Sequence, residues 1–265
     1  MRRNLNIGIV GFGNMGRALA YALLDGTEGC ISIYEKDKKK IKGLKNLLIS
    51  ENAKELIETA DVVILAIKPQ DIKKFLKETK YYFLNKKPIL ISIAAGIPTY
   101  FFERYVKQIR VIRVMPNLAA KVRESISFIC KGKFAKNKDL EIAKRIFRYV
   151  GEVIIIKEGF LNKVTSISGS GPGYVYYFMD CLYKSALELG FQKKIAKRMV
   201  EQTFRGAIKL AKLSGKDFNL LVKAVASPKG TTLAALKIFK KRKLKGIIAS
   251  AVNAAHKRAK ELSIN

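Results

Sequence analysis

Tryptophan is absent from this 265-residue chain, histidine occurs once, at His256, and cysteine three times, at Cys30, Cys130 and Cys181. With no Cys-x-x-Cys pair and a single histidine near the end, disulfide scaffolds and structural zinc sites are excluded, and no metal is expected. A Ser-His or Cys-His nucleophilic device would depend on His256, which the pattern places among lysines on a polar helix face. The scattered cysteines read instead as small buried hydrophobes. No window reaches about eighteen consecutive apolar residues, so neither a transmembrane span nor a membrane partner is expected. The first apolar run starts at Leu5, which leaves no room for a signal peptide, and a cytoplasmic location is the expectation.

Acidic residues are also scarce: 21 Asp and Glu face 52 Lys and Arg, a formal charge of +31. A balance this basic invites a nucleic-acid reading. The lysines, however, are spread along the chain, at 36–45, 131–144, 193–197 and 237–245, on faces that helices leave in water. The reading adopted is a solvated surface that steers anionic small molecules, with no nucleic-acid partner.

What is present is enough apolar material, 49% of residues, for a sizeable core. Short β-branched runs at 6–10, 31–34, 62–67, 89–93 and 111–114 read as strands buried on both faces of a parallel sheet. Helical patterns at 14–24, 38–48, 70–81 and 98–105 alternate with them, which predicts a doubly wound α/β domain. Elements at 126–129, 140–150 and 153–156 carry it to residue 157. Beyond Gly159 the strands stop, and helices follow at 171–189, 192–213, 218–226, 231–241 and 244–262. The expected division is a dinucleotide-binding domain at 1–157 and a helical domain at 158–265. Val175, Phe178, Met179, Leu182, Ile208 and Leu210 are more apolar surface than a small bundle can bury alone, which points to a second subunit.

The stretch "IGIVGFGNMGRALAYALL" puts Gly11, Gly13 and Gly16 in GxGxxG spacing, after a strand and at the start of a helix. The first glycine permits the turn, the second lets backbone approach a pyrophosphate, and the third lets helix and strand pack. Glu35 ends the second strand, where an acidic residue accepts hydrogen bonds from the adenosine ribose of NAD; nearby Lys36, Lys38 and Lys39 would instead suit the 2′-phosphate of NADP. NAD and NADP both stay open. The carboxyl ends of the next strands, Ala66, Ile67, Lys68 and Pro69, then Ala94 and Ala95, are placed to run beneath ribose and nicotinamide.

Residues 226–232, "ASPKGTT", break two helical patterns with more hydroxyls than a break needs. Ser227, Thr231 and Thr232 are either helix caps or ligand contacts.

Taken in order, "GFGNMG", "AIKPQ", "SIAAGIP", "VMPN", "VTSISGSGPGYVYYFMD" and "SPKGTT" resemble the blocks of pyrroline-5-carboxylate reductase, across almost the whole chain. The resemblance implies a Rossmann domain, a helical dimerisation domain that also binds substrate, dimers that assemble into decamers, and NADP or NAD as cofactor. It implies reduction of the cyclic imine 1-pyrroline-5-carboxylate to proline. Carried over by position, it assigns cofactor contacts to Val10, Gly11, Phe12, Gly13, Asn14 and Met15, to Ala66, Ile67, Lys68 and Pro69, and to Ile93, Ala94 and Ala95. It assigns substrate contacts to Glu158, Thr231 and Thr232, with Ser227 and Gly230 beside them; given that substrate, the Thr232 hydroxyl is placed to hydrogen-bond the ring nitrogen and pass it a proton, directly or through water. The chain departs from the family pattern at Lys229, where the loop usually reads SPGGTT, and at Gly173, Asn162, Val222 and Lys223. Alternatives are a related imino-acid or hydroxy-acid reductase, and a basic nucleic-acid-binding protein with an inactive Rossmann domain.

Overall fold

The computed structural model describes residues 5–26, 29–45 and 47–264. The chain divides into two compact units: Met1–Ser170 together with Ala255–Asn265, and Gly171–Ala254.

In the first unit the elements are β1 (Ile7–Val10), α1 (Asn14–Leu24), β2 (Ile31–Tyr34), β3 (Leu48–Ile49), α2 (Ala53–Thr59), β4 (Val62–Leu65), α3 (Pro69–Lys86) and β5 (Ile89–Ser92). They continue as α4 (Thr99–Tyr105), β6 (Arg110–Met115), β7 (Ser125–Lys131), α5 (Asn137–Arg148), β8 (Gly151–Ile155) and a one-turn α6 (Leu161–Val164). The strands form one sheet of eight in the order β3-β2-β1-β4-β5-β6-β7-β8. Strand residues alternate between two cores. Ile9, Ile64, Ile91 and Ile112 meet Leu19, Leu23 and Phe147 on one face, while Val63, Leu90 and Val111 meet Leu56, Phe75 and Phe102 on the other. Burial on both faces is why these strands are continuous apolar runs; each fully buried Leu, Ile or Phe contributes about 1.5–3 kcal/mol.

Three local expectations need correction. The sheet is not wholly parallel, because β7 runs antiparallel to β6 while β8 follows β7 in parallel. Only residues 116–124 connect β6 to β7, too few for a crossover of about a dozen residues, so the chain must turn back. The helix expected at 38–48 is a single 3-10 turn, Lys38–Lys40, capped by the Asp37 side chain; Gly43 at φ +80 breaks its continuation, and Asn46 lies outside the described residues. In its place come β3 and α2, the latter started by Asn52, whose side chain accepts from Glu55 N–H at 3.0 Å. The cysteines are also not uniformly buried: Cys130 is, whereas Cys30 and Cys181 are exposed.

After β8 the chain climbs back along β6. Glu158 lies beside Arg113, a π-type turn follows over Thr165–Gly169, and Ser168 accepts a hydrogen bond from Asn117 just beyond the end of β6. His256 does not sit wholly on a polar face, since its Nδ1 is buried with no partner among the described residues.

The second unit contains α7 (Gly171–Glu188), α8 (Lys193–Ser214), α9 (Phe218–Val225), α10 (Thr231–Lys241) and the first half of α11 (Leu244–Ile264). Gly190 and Gly215 take positive φ where the helices stop, as their positions suggest. Among its described residues only Ala186, Ala196 and Val200 are buried. Tyr177 is 71% exposed and Ile208 and Leu210 58% each. An apolar groove of about 540 Å³ runs between α7, α10 and α11, lined by Tyr177, Phe178, Leu182, Phe239, Ile247 and Ile248.

Candidate active site

The carboxyl ends of three neighbouring parallel strands, β1, β4 and β5, meet at one sheet edge. There the sheet gathers Val10 to Met15, Ala66 to Pro69 and Ile93 to Ala95. Main chain ties these turns together: Ala66 N–H donates to Val10 O at 2.8 Å, and Ile93 N–H to Leu65 O at 3.2 Å. Gly11 sits at φ +96, and a Cβ there would lie 2.8 Å from Ala66 O. A Cβ on Gly16 would come within 2.0 Å of Gly11 O, so only glycine lets α1 start this close to the turn. Gly13 has nothing within 4 Å of an added Cβ, and as N-cap of α1 it receives no side-chain cap. An uncapped helix start, opening on empty space above a glycine, fits the pyrophosphate of a nicotinamide dinucleotide. Lys68 caps α3 without a side-chain bond, and Pro69 occupies its first turn.

Glu35 is 9% exposed. Its Oε2 accepts from Phe12 N–H at 2.7 Å and its Oε1 from Asp37 N–H at 3.0 Å; Lys40 Nζ stands 3.7 Å away. Burial alone would push this carboxyl up, but the main-chain donors and Lys40 prevail and hold it below its ordinary value. The residue thus braces the glycine turn from beneath.

Glu158 is equally engaged. Its Oε1 accepts from Thr99 N–H and its Oε2 from Thr99 Oγ1, both at 2.7 Å. Arg113, only 4% exposed, brings Nη1 to Glu158 Oε1 at 3.4 Å and Nη2 to Asn162 Oδ1 at 3.1 Å. One carboxylate therefore joins the start of α4, which follows the "SIAAGIP" turn, to β6 and to the segment leading towards α7. Cys130 lies against the same network; burial, then the Glu158 charge, pushes its thiol up to about 12, so it is no nucleophile. Arg113 and Thr99 were not picked out by pattern, and Asn162 only as a departure from the family sequence. The signal was there in Arg113, a charge inside a run otherwise suited to full burial, which demands a partner.

In the second unit Gly230 is the N-cap of α10, and no side chain caps that helix. Gly230 N–H turns back to Ser227 O at 3.0 Å. Ser227 and Thr231 are exposed and Thr232 half-buried, so none of the three hydroxyls serves the helix as a cap.

Residues 158–262 match the family described as pyrroline-5-carboxylate reductase dimerisation, and residues 6–96 the family described as NADP oxidoreductase, coenzyme F420-dependent. The pyrroline-5-carboxylate reductase of Methanosarcina acetivorans is 33% identical over 266 residues, covering 98% of either chain. The chain belongs to the pyrroline-5-carboxylate reductase family. The solved reductase of Coxiella burnetii shares the fold at a TM-score of 0.90, with 32% identity over 98% of this chain and 99% of that one. The Plasmodium falciparum pyrroline carboxylate reductase, solved with NADP bound, also gives 0.90, at 28% identity over 98% of each chain.

Within a pyrroline-5-carboxylate reductase Lys229 is the departure with a measurable cost. It adopts φ +60, the left-handed region, which explains the glycine of the family pattern; a side chain there costs about 1 kcal/mol. Lys229→Gly is expected to raise stability by up to about 1 kcal/mol, read from the urea midpoint. An unchanged or lowered midpoint would mean the backbone relaxes around lysine at no cost.

Proposed function

We infer that this chain is an NAD(P)H-dependent oxidoreductase that reduces 1-pyrroline-5-carboxylate to proline, and that two clusters of main-chain donors hold its two ligands. The observation that carries the reading is the uncapped start of α10: four polar residues surround a helix N-terminus that none of them caps. Such a start suits a carboxylate.

When bound, the reduced nicotinamide supplies the hydride that adds to the imine carbon. In the proposal the turn at 10–15 holds the pyrophosphate, and Ala66 to Pro69 with Ile93 to Ala95 form the floor under ribose and nicotinamide. The N–H groups of Thr231 and Thr232 with the Ser227 hydroxyl hold the substrate carboxylate, while Gly230 closes the turn onto Ser227 O, and this fixes the ring face presented for transfer. Thr232 Oγ1 hydrogen-bonds the ring nitrogen and passes it a proton, which water returns to the hydroxyl in the same relay. Glu158, whose side chain keeps 30% exposure, is the substrate-side carboxylate, oriented by Thr99 and Arg113. No strong general base is required, in keeping with a single histidine outside the site.

Residues 158–265 form the substrate-binding and dimerisation domain in this proposal, and 1–157 the dinucleotide-binding domain. A helical unit with three buried side chains among those described lacks a core of its own. A homodimer that fills the apolar groove supplies one, and further dimers would build the decamer. Among the described residues no helix is long and apolar enough to cross a membrane. A cytoplasmic location is proposed as well, supported by two exposed cysteines carried as free thiols.

NADH and NADPH oxidation should be followed separately with the cyclic imine. Consumption of neither would remove the reading. Thr232→Ala is expected to lower kcat by about a hundredfold with dinucleotide affinity unchanged. Parallel losses in both would withdraw the proton-donor role.

A further inference from the structure

A cleft of about 330 Å³ opens between α1 and the 3-10 turn Leu118–Val122 that follows β6. Ala18, Ala22 and Ala120 give it an apolar floor, and the last two are buried, at 2% and 1% exposure. The fold fixes the turn that forms one wall. It starts on the Asn117 side chain, which accepts from Ala119 N–H at 3.1 Å, and closes where Arg123 N–H donates to Ala119 O and Ala120 O.

The charged lining is cationic throughout: Arg17 from α1, Lys121 and Arg123 from the turn, and no carboxylate. Arg123 pairs with Asp25, which caps the end of α1. Arg17 lies 5.1 Å over the Phe12 ring, and among the described residues neither its guanidinium nor the Lys121 ammonium forms an ion pair or a hydrogen bond. Arg123 also stands at φ +60, where glycine would sit without strain and a side chain is disfavoured. Three cations gathered at one cleft repel one another, and a single acidic neighbour compensates only one of them. Of the residues assigned to the dinucleotide only Asn14 lines the cleft; none of 66–69 or 93–95 does. Arg17 and Tyr21 stand about 4.5 and 10.5 Å further along the helix axis, away from the glycine turn.

We propose that this cleft binds a phosphate monoester with a flat, uncharged body the size of one ring, at a site separate from that of the dinucleotide. Arg17 and Lys121 take the phosphate, whose two charges match two uncommitted cations. The ring lies on the alanine floor beside Tyr21, which is 45% exposed. The volume falls at the lower end of small-molecule sites, about 300 Å³ upward, and exceeds what an inorganic ion fills. Nothing in this inference depends on imine reduction.

The test saturates the full chain with ADP-ribose, so that the glycine turn is occupied, and titrates it by calorimetry at about 0.15 M ionic strength with phenyl phosphate and with inorganic phosphate. Phenyl phosphate is expected to bind once per chain and at least about tenfold more tightly than inorganic phosphate, a difference of about 1.4 kcal/mol. Lys121→Glu should weaken it by about tenfold or more and Arg17→Ala by about fivefold. Lys194→Ala, which removes an exposed cation on α8, should leave it within about twofold. Arg17 and Lys121 are exposed, so their variants should unfold like the wild type; should Lys121→Glu fail to fold, Lys121→Ala takes its place. Several equivalents per chain, indifferent to Lys121→Glu, would mean diffuse binding to a surface of charge +31 and overturn the site. Equal affinity for the two phosphates overturns the ring-bearing class. Phenyl phosphate that binds the free chain and is lost on saturation with ADP-ribose overturns the separateness of the site. Failure of ADP-ribose itself to bind would count against the proposed function, and the same variants would then decide this inference on the free chain.

Discussion

Gly16→Ala is expected to abolish measurable dinucleotide binding and to destabilise the first unit by about 3 kcal/mol or more. The added Cβ would lie 2.0 Å from Gly11 O and 3.3 Å from Ala66 Cβ. Neither neighbour is the tip of a flexible side chain, so nothing can swing aside. The helix must lift off the turn, and its free N–H groups move with it. A displacement near 1 Å at a phosphate site is enough to cost about a hundredfold in affinity, roughly 2.7 kcal/mol. Gly13→Ala separates the two effects. With nothing within 4 Å of its Cβ, that variant should unfold like the wild type, yet place a methyl where the pyrophosphate must approach. Thermal unfolding read beside calorimetric binding checks both. A Gly16→Ala protein that binds within threefold of the wild type would show that the turn is not the phosphate cradle.

Arg113→Met should destabilise the chain by about 3–5 kcal/mol, the cost of stripping one partner from a largely buried ion pair. The guanidinium is 4% exposed and holds Glu158 and Asn162 at once. Methionine fills much of the volume but leaves the carboxylate without its counter-charge and Asn162 Oδ1 without that donor. Arg113→Lys can satisfy one partner, not two, and should recover about half of the loss. Urea midpoints at neutral pH are the readout. A methionine variant as stable as the wild type would show that Glu158 is adequately held by Thr99 alone. A variant that stays folded should still turn over poorly, because Glu158 fixes where α4 begins relative to the "SIAAGIP" turn.

The parts of this molecule legible in its sequence are those where one residue type has one physical use. Gly11 and Gly16 sit where no Cβ fits, and the β-branched runs of β1, β4 and β5 are continuous because both faces are covered. The reversal of β7 was hidden because an antiparallel strand buried on both faces reads like a parallel one; only the nine-residue span before it, 116–124, carried the information. The helix expected at 38–48 failed because lysines supply helix propensity without an apolar stripe, and Gly43 removes even that. At the site, residue types were readable but directions were not. Glu35 turns its oxygens onto main-chain donors, and Glu158 shares its own between the Thr99 N–H, the Thr99 hydroxyl and Arg113, arrangements that depend on neighbours 23, 45 and 59 positions away. For residues 227–232 the structure narrows the question, since a helix start with no side-chain cap leaves three hydroxyls unaccounted for by the fold.

Ala255–Asn265 group with the first unit, although residues 255–264 continue α11, the helix that begins in the second. The boundary at Ala254 and Ala255 therefore falls inside an unbroken helix, so a protease or a designed cut at that point cannot part the two units without fraying helical backbone on either side of it.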